Sequence, residues 1–361
     1  MKIAIYGCGE TAQIIKKYVD TLKDIQIKYF ILSETKESIF DGYPVYEPEE
    51  VVFEDIDYIV ISSDIFSKSM KDELMHRASS YRENIGKVID RESFLEMIYV
   101  DDSQYRTVTV NGGISYVYRR EDSILGPWMR YSKENHSHRE LTFLLSFVKE
   151  NTNFKDDGYF LDIGANIGTT SICVKKINPD FKVISFEPGQ QNYDLLRVNC
   201  ILNKEEGIRA EHIGLGSEVG KRHYYYRIDN PGGSEVCDAE SEQYQETVII
   251  NTLDYYLNEK GIRADDISFI WMDTEGFESE VIIGSKKTLK LKAIPLVHEF
   301  NPKYYKKKGT VTEYLDIMNE AYSYFFDVRK CEGQAPDIMK INQLERFLYE
   351  KNDQTDIFFF D

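Results

Sequence analysis

The 361-residue sequence predicts an α/β protein of two domains, each built on a doubly wound, largely parallel sheet. Short apolar runs of strand type alternate with stretches of helical periodicity along the chain. Two of those runs, Lys2–Tyr6 and Tyr159–Ile163, break into a glycine turn that opens a helix. The length suits two ordinary domains of about 100–200 residues each.

Composition narrows the partners. With 44 Lys and Arg against 62 Asp and Glu, the net charge of -18 argues against general affinity for nucleic acid or insertion at an anionic membrane, which need a basic field. The lysines of 303–308 are split by Tyr304 and Tyr305 and read as a solvated loop. No apolar stretch reaches the roughly 18 residues of a membrane span. The opening residues read as a strand, not a signal peptide. Cys8, Cys173, Cys200, Cys237 and Cys331 are scattered, without a C-x-x-C pair. The expectation is a reduced, cytoplasmic protein without a zinc site.

Residues 1–98 form the first expected domain. Strands at 2–6, 25–32, 42–46 and 58–62 alternate with helical tracts at 12–22, 48–52 and 69–82. The turn Gly7-Cys8-Gly9-Glu10-Thr11-Ala12 is G-x-G-x-x-A, which suits either a nucleotide site or a tight junction that binds nothing. With the Gly42-Tyr43-Pro44-Val45 piece and the strand at 58–62, this domain resembles the small sugar-nucleotide-binding domains that precede some bacterial sugar acyltransferases. Residues 99–137 read as a connector carrying a hairpin, 106–110 and 114–118, around Asn111-Gly112-Gly113. Ser137-His138-Arg139-Glu140 matches a capping box and opens the third segment, 138–361.

That segment is organised around 159–171. Tyr159–Ile163 is apolar except for Asp162, as in a central parallel strand. Gly164 and Gly168 flank the turn, and Thr169 opens a helix that stops at Asn178-Pro179. Such a turn is where open α/β sheets bind ligands. The spacing Gly164-x-Asn166-x-Gly168 fails the dinucleotide fingerprint. The next strand ends at Glu187, placed to accept both ribose hydroxyls of an adenosine. Asp162 puts a carboxylate where an ammonium group could sit. A ligand with an ammonium at one end and a ribose at the other fits S-adenosylmethionine better than NAD.

Further along come strands at 208–213, 221–228, 247–250, 269–273 and 293–300, then closing strands at 322–328 and 356–360. Asp162-Ile-Gly-Ala-Asn-Ile-Gly168, Phe186-Glu187-Pro188 followed by Asn192 and Asn199, Gly232-Gly233-Ser234, and Met272-Asp273-Thr274-Glu275-Gly276-Phe277-Glu278 occur in that order. Together they resemble FkbM-family methyltransferases over about residues 138–330. The resemblance implies the class I methyltransferase fold, Rossmann-like with a seven-stranded sheet and an antiparallel last hairpin. It also implies S-adenosylmethionine as donor and, typically, O-methylation of sugars, polysaccharides or secondary metabolites. A Lys or Arg common in the family before the fourth-strand acid is Met272 here.

On this reading Asp162, Gly164, Ala165, Asn166 and Gly168 hold the methionine end and Glu187 the ribose. Gly214, Leu215 and Ser217 are candidates for the adenine edge. Asp273 and Glu275, two apart, would face the same way on an extended chain. At least one would act on the acceptor; the alternative is that one caps the next helix. His298, at a strand end, is a candidate general base, with a half-buried histidine bonded to a carbonyl as the bland alternative. Glu299 follows it. The polar, glycine-rich loop of Asn230, Gly233 and Ser234 suits a polar acceptor, and Tyr224–Tyr226 suit either stacking on a sugar or a sheet surface. No ligand spacing demands a metal, although Asp273 and Glu299 could contribute to one. The expected enzyme is an O-methyltransferase of a sugar, sugar nucleotide or glycan hydroxyl, with a homodimer possible. An NAD-dependent enzyme using the Gly7–Gly9 turn, and a non-catalytic S-adenosylmethionine sensor, are the alternatives.

Overall fold

The computed structural model describes residues 1–9, 25–35, 38–63, 67–90, 105–205, 207–237, 246–331, 335–351 and 354–361, together with 12, 15, 16, 19 and 94. The helical tract expected at 12–22 and the turn residues Glu10 and Thr11 fall largely outside them. The chain divides into two compact units, Met1–Asp102 and Ser103–Asp361.

In the first unit, β1 (Lys2–Tyr6), β2 (Gln26–Ile31), β3 (Ile39–Phe40), β4 (Tyr43–Tyr46), β5 (Tyr58–Ile61) and β6 (Val88–Asp90) form a sheet of order β3-β4-β2-β1-β5-β6. Central β1 pairs in parallel with both β2 and β5. Its residues alternate between two cores: Ala4 and Tyr6 enter one, Ile3 and Ile5 the other. Gly7 has φ +112°, and a Cβ there would overlap Ser62 Oγ, which itself donates to Tyr6 O. The helix α1 (Ser67–Arg77) ends on Arg77, whose guanidinium pairs with Glu47, Glu49 and Glu73.

The second unit opens with the hairpin β7 (Tyr105–Thr109) and β8 (Ser115–Arg119), then α2 (Leu125–Ser132) and α3 (His138–Asn151). The hairpin shares this unit's core through Tyr116 and Tyr118. The capping box expected at Ser137 does not form. Its hydroxyl pairs with Thr170 Oγ1 instead, 2.7 Å away, tying α3 to the next helix.

The main sheet contains β9 (Tyr159–Ile163), β10 (Lys182–Phe186), β11 (Arg209–Glu211), β16 (Ile267–Met272), β17 (Leu296–Phe300), β18 (Tyr324–Asp327), β19 (Met339–Lys340) and β20 (Thr355–Phe360). Their order is β11-β10-β9-β16-β17-β20-β18-β19. The strands from β11 to β17 are parallel, while β20 runs antiparallel to both β17 and β18. This is the class I methyltransferase arrangement, extended by the two-residue edge strand β19. Central β9 and β16 are apolar on both faces because helices cover both.

Those helices include α4 (Thr169–Ile177), α5 (Gln190–Leu202), α6 (Leu253–Lys260), α7 (Glu278–Gly284), α8 (Lys286–Leu291), α9 (Pro302–Lys308), α10 (Val311–Ala321) and α11 (Leu344–Glu350). Asn199 of α5 accepts from Val117 N and donates to Val117 O and Ile167 O, so one amide joins the hairpin to the glycine turn. A smaller sheet of order β12-β15-β13-β14 inserts between β11 and β16, formed by β12 (Gly214–Leu215), β13 (Gly220–Tyr225), β14 (Glu235–Cys237) and β15 (Glu246–Asn251).

Candidate functional site

The reversal of strand order falls between β9 and β16, and a cleft opens at their carboxyl ends. Its floor is the turn after β9. Gly164, Asn166 and Gly168 all take left-handed backbone, with φ of +88°, +49° and +89°. Gly164 N and Ala165 N both donate to Phe186 O at 3.0 Å. A Cβ at Gly164 would overlap the carbonyl oxygen of Asp273, so glycine alone lets the turn sit between β10 and the end of β16.

Glu187 follows β10 and lines this cleft. Asn166 N donates to its Oε2 at 2.9 Å and Gly189 N to its Oε1 at 2.8 Å. Tyr224, from the inserted sheet, approaches Oε1 with its hydroxyl. Burial nevertheless pushes this carboxyl up to about 7. The group is positioned from three sides and retains lone pairs for further donors.

Asp162 behaves otherwise than expected. Its carboxylate is buried behind the turn, takes the Ser171 hydroxyl and is not among the groups lining the cleft; Ser171 in turn pairs with Ser185 Oγ at 2.6 Å. It braces β9 against α4 and β10, and burial lifts it to about 7. Ala165 is buried and Gly168 packs on Leu196 at the start of α4, so both shape the turn from behind. Gly214 and Leu215 line the cleft; Ser217 does not.

The opposite wall follows β16. Asp273 and Glu275 both line the cleft, brought together by a turn rather than by strand alternation. Glu275 has φ +53° and Gly276 φ +96°. A non-glycine residue held in this region stores strain, a feature that clusters at functional sites. Enclosure, then the neighbouring Glu278, pushes Glu275 up to about 7, against a lowering by Arg227. Asp273 is open to the cleft but ringed by protein on its other sides. That enclosure, reinforced by Glu275 and Glu278, holds it well above the usual carboxylate range.

The third strand end corrects the general-base expectation. His298 is 1% exposed and lies in the aromatic core, not in the cleft. Its Nδ1 is 2.6 Å from Glu299 O, its Nε2 is 3.0 Å from Tyr314 Oη, and its ring stacks on Phe359. Burial depresses it to about 4, so it is neutral and structural. Alternation along β17 turns Glu299 the other way, toward Asp273 and Glu278. Met272, the last residue of β16, is buried in the core.

The polar loop forms a 3-10 turn at Pro231–Gly233. Pro231, Gly232 and Ser234 line the cleft, while Asn230 and Gly233 do not: Asn230 Oδ1 caps the turn through Gly233 N. Asn192 Nδ2 donates to Pro231 O at 3.1 Å and fixes the loop to α5. Tyr224 and Tyr226 are buried in the inserted sheet's own core; Tyr226 does not line the cleft, while Tyr224 does, beside Glu187. Sequence reasoning missed Asn192 and Glu278 as site residues. Both stand inside the motifs quoted above, but neither lies at a strand end, where ligand contacts were sought.

The cleft therefore joins a glycine turn, a buried ribose-type acid and two acids facing them. Two amide oxygens on its wall, Asn166 Oδ1 and Asn192 Oδ1, are buried without a hydrogen-bond partner among the described residues. Known proteins resemble the chain in the same region. Residues 162–329 match the family model described as Methyltransferase FkbM domain, and residues 1–85 one described as C2185-like, N-terminal. Methyltransferase sdnD of Sordaria araneosa is 35% identical over 98 residues, 27% of this chain and 38% of the relative. The 2-O-methyltransferase NoeI of Sinorhizobium fredii is 26% identical over 168 residues, 42% of this chain and 64% of the relative. The chain thus spans less than two thirds of these relatives. A crystal structure of a methyltransferase FkbM from Methylobacillus flagellatus aligns over 99% of this chain and 90% of its own, at 14% identity and a TM-score of 0.37.

Proposed function

We propose, for a chain whose residues 162–329 are an FkbM-family methyltransferase domain using S-adenosylmethionine, that the enzyme methylates a hydroxyl of a sugar, sugar nucleotide or glycan. The observation that carries this reading is the placement of Glu275 and Asp273 in the same cleft as Glu187 and the Gly164 turn.

The residues present fit the donor. Glu187 is aligned by two backbone N–H groups, with spare lone pairs for the ribose hydroxyls. Gly214 and Leu215 line the cleft and offer an apolar edge for the adenine. Asn166 Oδ1, an acceptor in want of a donor, suits the ammonium end. With Asp162 committed to Ser171, it acts on the ligand only by holding the turn in place.

When bound, S-adenosylmethionine supplies an electrophilic methyl group. The chain aligns an acceptor oxygen with that carbon and removes its proton. Glu275 would take the proton from the acceptor hydroxyl as its oxygen receives the methyl group. Ser234, Asn192 and Asp273 present hydrogen-bonding groups suited to a polyhydroxylated acceptor. The 2-O-methyltransferase among the relatives supports a hydroxyl target.

The test is direct. Purified protein is incubated with S-adenosylmethionine and a panel of sugar nucleotides and oligosaccharides, with mass spectrometry of both products. One acceptor gaining a single CH2, with S-adenosylhomocysteine in equal amount, is the expected result. Calorimetric binding of S-adenosylmethionine without turnover on any acceptor would favour a sensor instead.

A further inference from the structure

At the Asp273 wall lies a group of three carboxylates, of which the methyl-transfer reading uses only Asp273. They come from three elements: Asp273 follows β16, Glu278 opens α7, and Glu299 belongs to β17. One oxygen from each lies within 4.8 Å of the others. Oxygens on opposite sides of a Ca2+ ion stand about 4.6–5.2 Å apart, and those across Mg2+ about 4.0–4.2 Å. The three groups are thus close enough to share one cation of either size.

A second observation separates this group from an ordinary acidic patch. Glu278 is completely buried, and its Oε1 accepts from Thr274 N, Thr274 Oγ1 and Gly276 N at 3.0–3.1 Å. Its Oε2 has no partner among the described residues. Glu299, 5% exposed, takes the Gln354 amide on Oε1 and likewise leaves Oε2 unpartnered. Two buried carboxylate oxygens without donors are costly to leave so. The neighbouring charges deepen that cost. Those bearing most on Glu299 are Asp273, Glu278, Glu275 and Asp356, all acidic. A bound cation inverts this logic, favouring the ionised form of every carboxylate it touches.

We propose that Asp273, Glu278 and Glu299 form a site for a divalent cation of the oxygen-seeking class, Ca2+ or Mg2+, set into the wall of the cleft. All three ligands are hard carboxylate oxygens and no thiol or imidazole among the described residues joins them, which selects this class over zinc. Glu278 and Glu299 lie behind the wall while Asp273 lines the cleft, so the ion's open side faces the acceptor. Water or an acceptor hydroxyl completes its shell there. That positional role rests on the methyl-transfer reading; the binding site does not.

The whole chain, treated with EDTA and desalted, is titrated by calorimetry with CaCl2 and with MgCl2, and by electron paramagnetic resonance with MnCl2, without S-adenosylmethionine. One ion per chain is expected. Glu278→Gln and Glu299→Gln should each weaken binding at least tenfold. Thermal unfolding keeps the test sharp where a variant is damaged. CaCl2 should raise the midpoint of the wild type and not that of Glu299→Gln, and in EDTA Glu299→Gln should melt at or above the wild type because one of three repelling carboxylates is gone. Failure of all three cations to bind stoichiometrically, or equal binding in wild type and both variants, overturns the site. Either result leaves methyl transfer untouched. Conversely, metal binding without turnover on any acceptor would remove the enzymatic reading and keep the site.

Discussion

The sequence presents two acids near the glycine turn as partners of one ligand, and of the two only Glu187 lines the cleft. Glu187 is held by Asn166 N and Gly189 N at the cleft; Asp162 is held by Ser171 inside the sheet. Their variants should therefore differ. Glu187→Gln removes a charged acceptor for the ribose and should weaken S-adenosylmethionine binding by about tenfold or more, at roughly 1.5–3 kcal/mol per charged hydrogen bond. Asp162→Asn keeps the shape and should change affinity less than threefold. pH distinguishes them too. Ribose donors favour the ionised form of Glu187, so binding releases its proton, and affinity should fall as pH drops through about 7. Asp162 acts on stability instead. Its folded pKa is raised, to about 7, so its contribution is fully present below the unfolded value and is lost as pH rises to about 7. Asp162→Asn should flatten the fall in melting temperature between about pH 4 and 7. A variant with an unchanged slope would show that Asp162 is not a buried, reluctantly charged group.

At the scale of elements, the glycine turn offers a graded test. Gly112→Ala, in the hairpin loop, meets left-handed backbone at φ +81° but open space, and should cost about 1–2 kcal/mol. Gly164→Ala meets a similar φ of +88° and also the Asp273 carbonyl, which belongs to backbone and cannot swing aside. It should cost several times as much and abolish S-adenosylmethionine binding, as chemical denaturation and calorimetry would show. These elements also show what was legible beforehand. The strands β9, β10 and β16 follow from apolar runs ended by glycine or acid, because a buried parallel strand admits little else. The meeting of Asp273 with Glu275 was legible only as a coincidence in the chain, since a left-handed Glu275, not strand alternation, brings it about. His298 misled because its residue type suits a base at a strand end. Whether a side chain at that end points to the cleft or to an aromatic core is decided by α10, which brings Tyr314 to its Nε2. Glu278 and Glu299 meet only through tertiary structure, 21 residues apart in the chain (299 − 278), and no local spacing announces them.

The whole molecule consists of two units with separate cores. No helix among the described residues is long and apolar enough to cross a membrane. Because the donor cleft is built wholly from residues of the second unit, a ligand should stabilise that unit alone. Scanning calorimetry of the full chain should resolve two transitions. S-adenosylmethionine at about a hundred times its Kd adds roughly 2.7 kcal/mol to the unit that binds it. At about 2–4 °C per kcal/mol, one transition should rise by about 5–10 °C and the other stay in place. Both transitions moving together would mean that the units unfold as one.

The central claim is that the cleft between the Gly164 turn and Glu275 transfers a methyl group to a hydroxyl. Steady-state formation of S-adenosylhomocysteine by the wild type and Glu275→Gln, with the acceptor found by mass spectrometry, tests it most directly. The predicted result is a loss of turnover by a factor of about 10²–10⁴ in Glu275→Gln, with S-adenosylmethionine affinity within threefold of the wild type. Equal turnover in the two proteins would contradict it.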